Sequence, residues 1–249
     1  IIDDVEDNSS LRRGKPALHL TYGVDIAVNA GSTLYFLPMV SILGSKLPEK
    51  KKVQVYELFI SEMSKLSVGQ AMDIQWHKGG KEPSKGQYLQ MCSFKTGSLA
   101  RMAAGLGAII GGAGAGQLDA LLEFATSIGV AFQIQDDILN IKPREGWGKE
   151  TGDDIKEGKR TLMVLHAFSN LPKNEASRLK WILDSRNNSD AEIREDISLL
   201  EKCGAVEHAS SYARALVSGC WKKLSPKLKD SEAKTLLKEF ADYVVEREI

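Results

Sequence analysis

The sequence lacks an excess of charge of either sign. Its 249 residues carry 33 Lys plus Arg against 33 Asp plus Glu, which gives a formal net charge of zero. A chain without net charge has no overall field to hold a nucleic-acid backbone, so we expect no nucleic-acid partner. Any phosphate chemistry must therefore come from local clusters of charged side chains.

Cysteine is scarce as well. Cys92, Cys203 and Cys220 are far apart and form no Cys-x-x-Cys pair. An odd number at such spacings favours neither a disulfide framework nor a thiolate metal site. We predict three reduced thiols in a cytoplasmic protein, since the sequence shows no secretory signal. An organelle stays open as an alternative because the N-terminal segment is expected to be missing.

Long apolar runs are also few. The longest run without charge, residues 26–45, has about the length needed to span a membrane, but it contains Asn29, Pro38 and two glycines. These residues make transfer into lipid less favourable. We predict no membrane span, and we interpret the run as a buried helix pair or one kinked helix.

What the sequence does contain is helical periodicity. Apolar residues recur at helical spacing between most of the prolines, and no Asn-Gly or Asp-Gly hairpin signal occurs. Ser84 with Gln87 and Ser189 with Glu192 have the spacing of capping boxes, which predicts two helix starts. The glycines in residues 111–114 predict a helix break. We therefore predict an all-α fold, with residues 1–249 in a single domain.

Two acidic segments are the candidates for chemistry. Asp3 and Asp7 are four residues apart and share one face of a helix, and Asp136 and Asn140 repeat that spacing. The second segment follows the apolar run 128–132, so its carboxylates are expected to be buried and to need partners or a metal. Oxygen ligands without His or Cys favour Mg²⁺ over Zn²⁺.

Basic residues near these segments could bind an anion. They are Arg12, Arg13, Lys95, Lys149 and Lys159. Arginine binds phosphate with two parallel N–H groups and lysine acts as a mobile point charge. The pattern predicts a diphosphate held between two acidic helix faces.

Other polar clusters leave two interpretations open. Asp153 and Asp154 have three lysines nearby, so they form either surface ion pairs or a pair that positions a catalytic lysine. His19, His166 and His208 are isolated in the sequence, and packing or surface roles are expected for them.

The acidic and basic segments resemble those of the trans-isoprenyl diphosphate synthases, most closely the geranylgeranyl diphosphate synthase branch. The matching segments are residues 3–14 (DDVEDNSSLRRG), 69–73 (GQAMD), 95–97 (KTG) and 132–140 (FQIQDDILN). The resemblance implies a helical bundle of the isoprenoid synthase type around a central cavity, usually in a homodimer. It also implies head-to-tail condensation of isopentenyl diphosphate with an allylic diphosphate, here to geranylgeranyl diphosphate (C20).

The resemblance further implies roles for individual residues. Three Mg²⁺ ions are expected with bound substrate, held directly or through waters by Asp3, Asp4, Asp7, Asp136, Asp137 and Asn140. The allylic diphosphate would be bound by Arg12, Lys95 and Lys149, with Lys159 nearby, and the isopentenyl diphosphate by Arg13. Lys95, Thr96 and Gln133 would act on the reacting carbocation. Tyr35, Phe36 and His77 are expected to close the product tunnel.

Two features depart from the family pattern. Asn140 replaces the usual last aspartate of the second segment, which keeps an oxygen and removes a charge. The family's upstream Gly-Lys-x-x-Arg segment would precede residue 1, so we expect a synthase domain that lacks its N-terminal helices. Two other functions stay open: a class I terpene cyclase, and a non-catalytic partner subunit of a prenyl synthase.

Overall fold

The computed structural model describes residues 1–77, 82–142, 152–185 and 188–246, and these are almost entirely helical. The α-helices are α1 (Ile2–Glu6), α2 (Leu18–Tyr22), α3 (Val24–Leu43), α4 (Glu49–His77), α5 (Lys85–Cys92), α6 (Ser98–Gly111), α7 (Ala115–Ile141), α8 (Asp153–Lys156), α9 (Leu162–Asn170), α10 (Lys173–Ser185), α11 (Asp190–Lys202), α12 (Ala205–Leu224) and α13 (Glu232–Glu246). A π-helical turn (Ser93–Gly97) joins α5 to α6, and a 3₁₀ turn (Ser225–Lys227) follows α12. The prediction of an all-α fold is confirmed.

Helix α7 lies at the centre of the bundle. It packs against α6, α12, α13 and the π turn, and 14 of its 27 residues are buried. Burial of each large aliphatic side chain contributes roughly 1.5–3 kcal/mol. The second acidic segment is the C-terminal part of this helix, so Asp137 is buried and Asp136 is half-buried.

The predicted helix boundaries are confirmed where local chemistry sets them. Ser84 caps the start of α5 and Ser189 caps the start of α11, each with a complete capping box. Helix α6 ends at Gly111 and α7 begins at Ala115, so the glycine-rich segment between them is a break. The three cysteines are free thiols.

A short hairpin was not predicted. Strands β1 (Leu11–Arg12) and β2 (Lys15–Pro16) pair antiparallel through Arg13 and Gly14, which both have positive φ angles (54° and 72°). A two-residue turn with two positive φ angles suits the twist of a hairpin. The sequence gives a weak signal for it because arginine rarely adopts this conformation.

The prediction for residues 26–45 is wrong in its burial. The segment forms one helix, α3, with Pro38 inside it, and its large apolar side chains are largely exposed, Phe36 by 72%. By length and composition α3 could cross a membrane, a weak test that leader sequences and core helices also pass. Because α3 is apolar on all sides, its sequence does not show which face packs inward.

Two glycines bring α4 and α7 against the π turn. A Cβ atom on Gly69 of α4 would lie 2.4 Å from the backbone nitrogen of Lys95, and one on Gly129 of α7 would lie 2.5 Å from Cα of Gly97. Only glycine permits these contacts. Lys95 and Thr96 are thereby placed between the two helices that carry the matching polar segments.

Candidate active site

The first acidic segment is held by cations and an amide from three elements. Asp3 Oδ2 accepts from Arg12 Nη2 at 3.0 Å, while Asp3 Oδ1 lies 3.3 Å from Lys95 Nζ and 3.1 Å from Gln70 Nε2. Asp4 is 2% exposed, and its carboxylate accepts from Arg12 Nε at 2.6 Å. The hairpin and α4 thus fix the orientation of this segment.

Lys95 is also bonded to Asp73 of α4, and Asp73 in turn contacts His77 on the same helix. Asp73 Oδ2 accepts from Lys95 Nζ at 2.8 Å, and Asp73 Oδ1 lies 2.8 Å from His77 Nε2. The contact that the structure gives His77 is this one with Asp73. Its predicted place in the product tunnel stays a prediction. The GQAMD match in the sequence drew attention to Asp73, but it did not reveal that Lys95 and His77 are its partners.

The second acidic segment has neutral donors as neighbours. Tyr88 Oη donates to Asp137 Oδ2 at 2.7 Å, and Gln133 Nε2 donates to Asp137 Oδ1 at 2.9 Å. Thr96 Oγ1 in turn donates to Gln133 Oε1 at 2.7 Å. The π turn therefore contacts both segments, the first through Lys95 and the second through Thr96. Tyr88 was missed by sequence reasoning because its hydroxyl finds this carboxylate only after α5 packs on α7.

Asn140 and Asp154 connect the second segment to Lys159. Asn140 Oδ1 accepts the backbone N–H of Asp154 at 3.1 Å, so its oxygen positions a neighbouring helix. Asp154 accepts from Lys159 Nζ at 2.8 Å. Asp154 is 7% exposed, so this pair is not a surface ion pair, and a catalytic role for Lys159 stays a prediction.

Electrostatics separate the two segments. Burial opposes ionisation of Asp3, but the charges of Lys95, Lys159 and Arg12 outweigh it and lower the pKa of Asp3 to about 2. Burial and the charge of Asp154 raise the pKa of Asp137 to about 8. Burial also raises the pKa of Asp7, although the charge of Lys159 opposes this. Lys159 therefore acts on two acids of the first segment, Asp3 and Asp7, while it is bonded to Asp154.

The residues fit a divalent cation that completes its coordination with water and phosphate. Asp137 is 4% exposed, and no cationic side chain is bonded to it in the described part of the chain. A cation would remove the cost of ionising it. Among the described residues, no group of three or more His, Cys, Asp or Glu is close enough to hold an ion alone. Mg²⁺ tolerates such an open site because it retains waters and binds substrate phosphates.

A cavity of about 390 Å³ lies beside the first segment. Its walls include Asp3, Lys95 and Thr96 at the polar end, and Tyr35 and Leu99 among the remaining side chains. Tyr35 thus lines the cavity beside Asp3, and its role in limiting product length stays a prediction. Phe36 does not line this cavity and faces solvent instead.

Two basic candidates are not brought into these contacts. Arg13 is exposed at the hairpin turn. Lys149 lies outside the described residues.

The helical fold and the two acidic segments beside one π turn define the class of protein as an all-α isoprenoid synthase. A family model described as polyprenyl synthetase matches residues 1–200. The chain belongs to the polyprenyl synthetase family of prenyltransferases.

Individual relatives agree with this assignment. The chain is 34% identical to a geranylfarnesyl diphosphate synthase from Natronomonas pharaonis over 99% of this chain and 70% of that protein. It superposes on the geranylgeranyl pyrophosphate synthetase of Pyrococcus horikoshii with a TM-score of 0.88 and 33% identity, covering 99% of this chain and 74% of that one. The geranylgeranyl pyrophosphate synthase of Corynebacterium glutamicum, complexed with isoprenyl diphosphate and magnesium, gives a TM-score of 0.92 at 25% identity, covering 99% and 74%.

The relatives are longer than this chain. The chain spans 63% to 75% of the length of four curated isoprenyl diphosphate synthases that it matches.

Proposed function

We propose that this protein condenses isopentenyl diphosphate with an allylic diphosphate, head to tail, and that its product is geranylgeranyl diphosphate. The observation that carries the proposal is the π turn that contacts both acidic segments, with Lys95 3.3 Å from Asp3 and Thr96 bonded to Gln133, which is bonded to Asp137. The relatives are named for both C20 and C25 products, so the C20 chain length is the more specific part of our proposal.

In this proposal, the polar end of the cavity binds the diphosphate of the allylic substrate. Asp3, Asp7 and Asp136 would hold divalent ions, three with substrate bound, and Asp4, Asp137 and Asn140 would support them. The metal, when bound, would neutralise charge that develops on the departing diphosphate. Lys95, Lys159 and Arg12 place positive charge beside the same group, with Lys149 and Arg13 as further candidates.

The reaction breaks the allylic carbon–oxygen bond, forms a carbon–carbon bond to isopentenyl diphosphate and releases a proton. Lys95 lies at the cavity wall with its ammonium already bonded to Asp73, so its orientation is set before substrate arrives. Such preorganised charge stabilises a leaving group more in the transition state than in the ground state. Thr96 and Gln133 offer neutral oxygen dipoles to a developing carbocation without becoming nucleophiles that compete strongly with the second substrate.

Tyr35 is the side chain we propose to limit product length, because it lines the cavity that begins at Asp3. A helical turn rises about 5.4 Å, close to one isoprene unit, so the position of a bulky side chain selects chain length in steps.

We also propose a homodimer in the cytoplasm, in which a second copy covers the apolar face of α3. This face includes Phe36 (72% exposed), Leu43 (66%) and Val40 (59%). Contiguous exposed apolar surface marks an interaction site. In the variants Val40→Asp and Leu43→Asp, the average mass measured by light scattering should fall from that of a dimer towards that of a monomer. The matched change Lys229→Asp, on an exposed polar surface, should not.

The activity test uses the full-length protein, Mg²⁺, labelled isopentenyl diphosphate and each short allylic diphosphate, with products identified by mass spectrometry. Labelled C20 diphosphate is the expected product. Cyclised hydrocarbon without label would indicate a terpene cyclase, and absence of turnover until another synthase is added would indicate a partner subunit.

A further inference from the structure

A second and larger cavity shares no lining residue with the one beside Asp3. It measures about 720 Å³ and is formed by the N-terminal end of α5 together with α9, α10 and α12. Ligand-binding clefts in proteins measure roughly 300–1,000 Å³. The cavity is thus large enough for a small molecule and separate from the proposed site of condensation.

The floor of this cavity is apolar. Leu162, Leu165 and Phe168 from α9 line it together with Ala176 from α10. Leu162 is 2% exposed, while Leu165, Phe168 and Ala176 are half-buried. Hydrocarbon placed on this floor would remove further apolar surface from water, at roughly 25 cal/mol per Å².

The rim of the cavity is cationic. It carries Lys85, Lys173 and Lys180, and the acidic side chain that lines it, Glu82, is already bonded to two cations. Glu82 accepts from Arg160 at 2.8 Å and from Lys180 at 2.5 Å. Lys85 lies 4.2 Å from the ring centroid of Tyr212, and within the described ranges Lys173 forms no ion pair. The rim therefore has more positive charge than its own acid can balance.

Two histidines complete the polar side. The rings of His166 and His208 are stacked with centroids 4.3 Å apart. His166 Nε2 also lies 3.2 Å from the carbonyl oxygen of Cys203. Burial, then His166 and Lys85, lower the pKa of His208. Lys85 is thus a positive charge beside His208, and a bound anion would offset it.

We propose that this cavity binds an anionic amphiphile, with an alkyl or prenyl tail on the floor formed by Leu162, Leu165 and Phe168. Its phosphate or carboxylate headgroup would lie between Lys85, Lys173 and His208. This is a site in addition to the one that binds the reacting diphosphates, and the inference does not depend on the proposed reaction.

The position of the cavity gives it a route to the active site. Lys85 is the first residue of α5, and α5 ends directly before the π turn that carries Lys95. Leu162 begins α9, three residues after Lys159. A ligand that shifts the start of α5 would act on the turn that carries Lys95, which contacts Asp3, and one that shifts α9 would act next to Lys159, which is bonded to Asp154, so occupancy should change turnover.

The test is ligand titration followed by NMR of the histidine rings, since the chain contains four histidines and two of them line the cavity. The probes are decyl phosphate, decanol and inorganic phosphate. We expect decyl phosphate to shift the signals of His166 and His208 saturably, and the two partial probes to shift them weakly. His19 serves as the reference, and His77 reports binding at the active site.

A variant pair separates this cavity from the active site. Lys85→Gln with Lys173→Gln should weaken the decyl phosphate response of His166 and His208 by about tenfold or more, which corresponds to ~1.4 kcal/mol, and leave any response of His77 unchanged. The exposed Lys229→Gln is the matched control. Equal responses to inorganic phosphate or to decanol would overturn the amphiphile assignment, and unshifted His166 and His208 signals would overturn the site. None of these readouts requires turnover.

Discussion

The two acidic segments have similar composition and opposite surroundings. Asp3 stands on a five-residue helix and is surrounded by Arg12 and Lys95, which keep its carboxylate ionised. Asp137 stands inside the central helix and is bonded to Tyr88 and Gln133, which carry no charge. The pKa of the first carboxyl is about 2 and that of the second about 8.

The difference shows which groups bond to the carboxylates of each segment before substrate binds. The first is neutralised by side chains that could instead bind a diphosphate, so arrival of the ligand exchanges one set of ion pairs for another. In the second segment, Asp137 has no cationic side chain bonded to it within the described residues, and a divalent cation is the partner that this buried carboxyl lacks. We therefore expect metal binding to depend more on the second segment, and diphosphate affinity more on the first.

The largest predicted effect removes one ligand from each segment. Asp3→Ala and Asp136→Ala should each lower kcat/KM by about 10²–10³-fold, the size expected when one preorganised electrostatic contact is lost. If both segments hold one diphosphate, the double variant should lose less than the product of the two factors. Steady-state kinetics measures this, with the exposed Asp119→Asn of α7 as control. If the loss in the double variant equals the product of the two single losses, the two segments act independently and do not hold one diphosphate together.

The second prediction concerns stability without metal and has opposite signs for the two segments. The raised pKa of Asp137 means that the folded state keeps a proton that the unfolded state loses above about pH 4, so stability falls as pH rises towards 8. Asp137→Asn should therefore raise Tm by a few degrees at pH 8 in chelator. The lowered pKa of Asp3 contributes stability above about pH 4, lost as pH falls towards 2. Asp3→Asn should lower Tm at pH 8. Calorimetry in chelator and then in excess Mg²⁺ measures Tm for both variants. A change of Tm in the same direction for both would contradict the difference between the two segments.

The third prediction concerns His77, which acts on the first segment through Asp73 and Lys95. Loss of its contact to Asp73 should free Lys95 to reorient, so His77→Leu should raise KM for the allylic diphosphate and lower kcat/KM about tenfold, near 1.4 kcal/mol. His77→Asn, which can still donate a hydrogen bond, should recover most of the loss. An equal defect in both variants would indicate a packing role instead.

The fourth prediction weakens the second segment without removing a charge. Tyr88→Phe leaves the buried Asp137 with one donor fewer, and this should cost about 1–2 kcal/mol in the free energy of unfolding. Urea denaturation measures it. Tyr243→Phe is the matched control because Tyr243 is 55% exposed. A change in Tyr88→Phe no larger than in the control would contradict the bond.

The smallest predicted effect concerns product length. Tyr35→Ala should lengthen the product by about one isoprene unit, since a helical turn spans ~5.4 Å. Phe36→Ala should leave the product unchanged because that ring does not line the cavity. Mass spectrometry of the products distinguishes the two. The same product from both variants would remove Tyr35 as the limit.

Local patterns predicted the parts of the molecule that local chemistry sets. Capping boxes predicted the starts of α5 and α11, and glycines predicted the break before α7. The diphosphate site that the paired acids and their basic neighbours indicate stays a prediction. The partners of Lys95 could not be predicted in this way. They depend on the close approach of α4 to the π turn at Gly69, which is a contact between residues distant in sequence.

The exposed face of α3 was missed for a different reason. Its sequence is apolar in every direction, so periodicity carries no information about which side packs. The turn at Arg13 and Gly14 was missed because one of its two residues seldom takes a positive φ angle.

The most direct measurement of the central claim is anomalous diffraction from crystals of the full-length protein with Mn²⁺ in place of Mg²⁺ and a non-hydrolysable allylic diphosphate analogue. The account predicts Mn²⁺ ions that bridge one diphosphate to carboxylates of both segments, Asp3 on one side and Asp136 on the other. Ions bound to a single segment, or a diphosphate bound away from both, would contradict it.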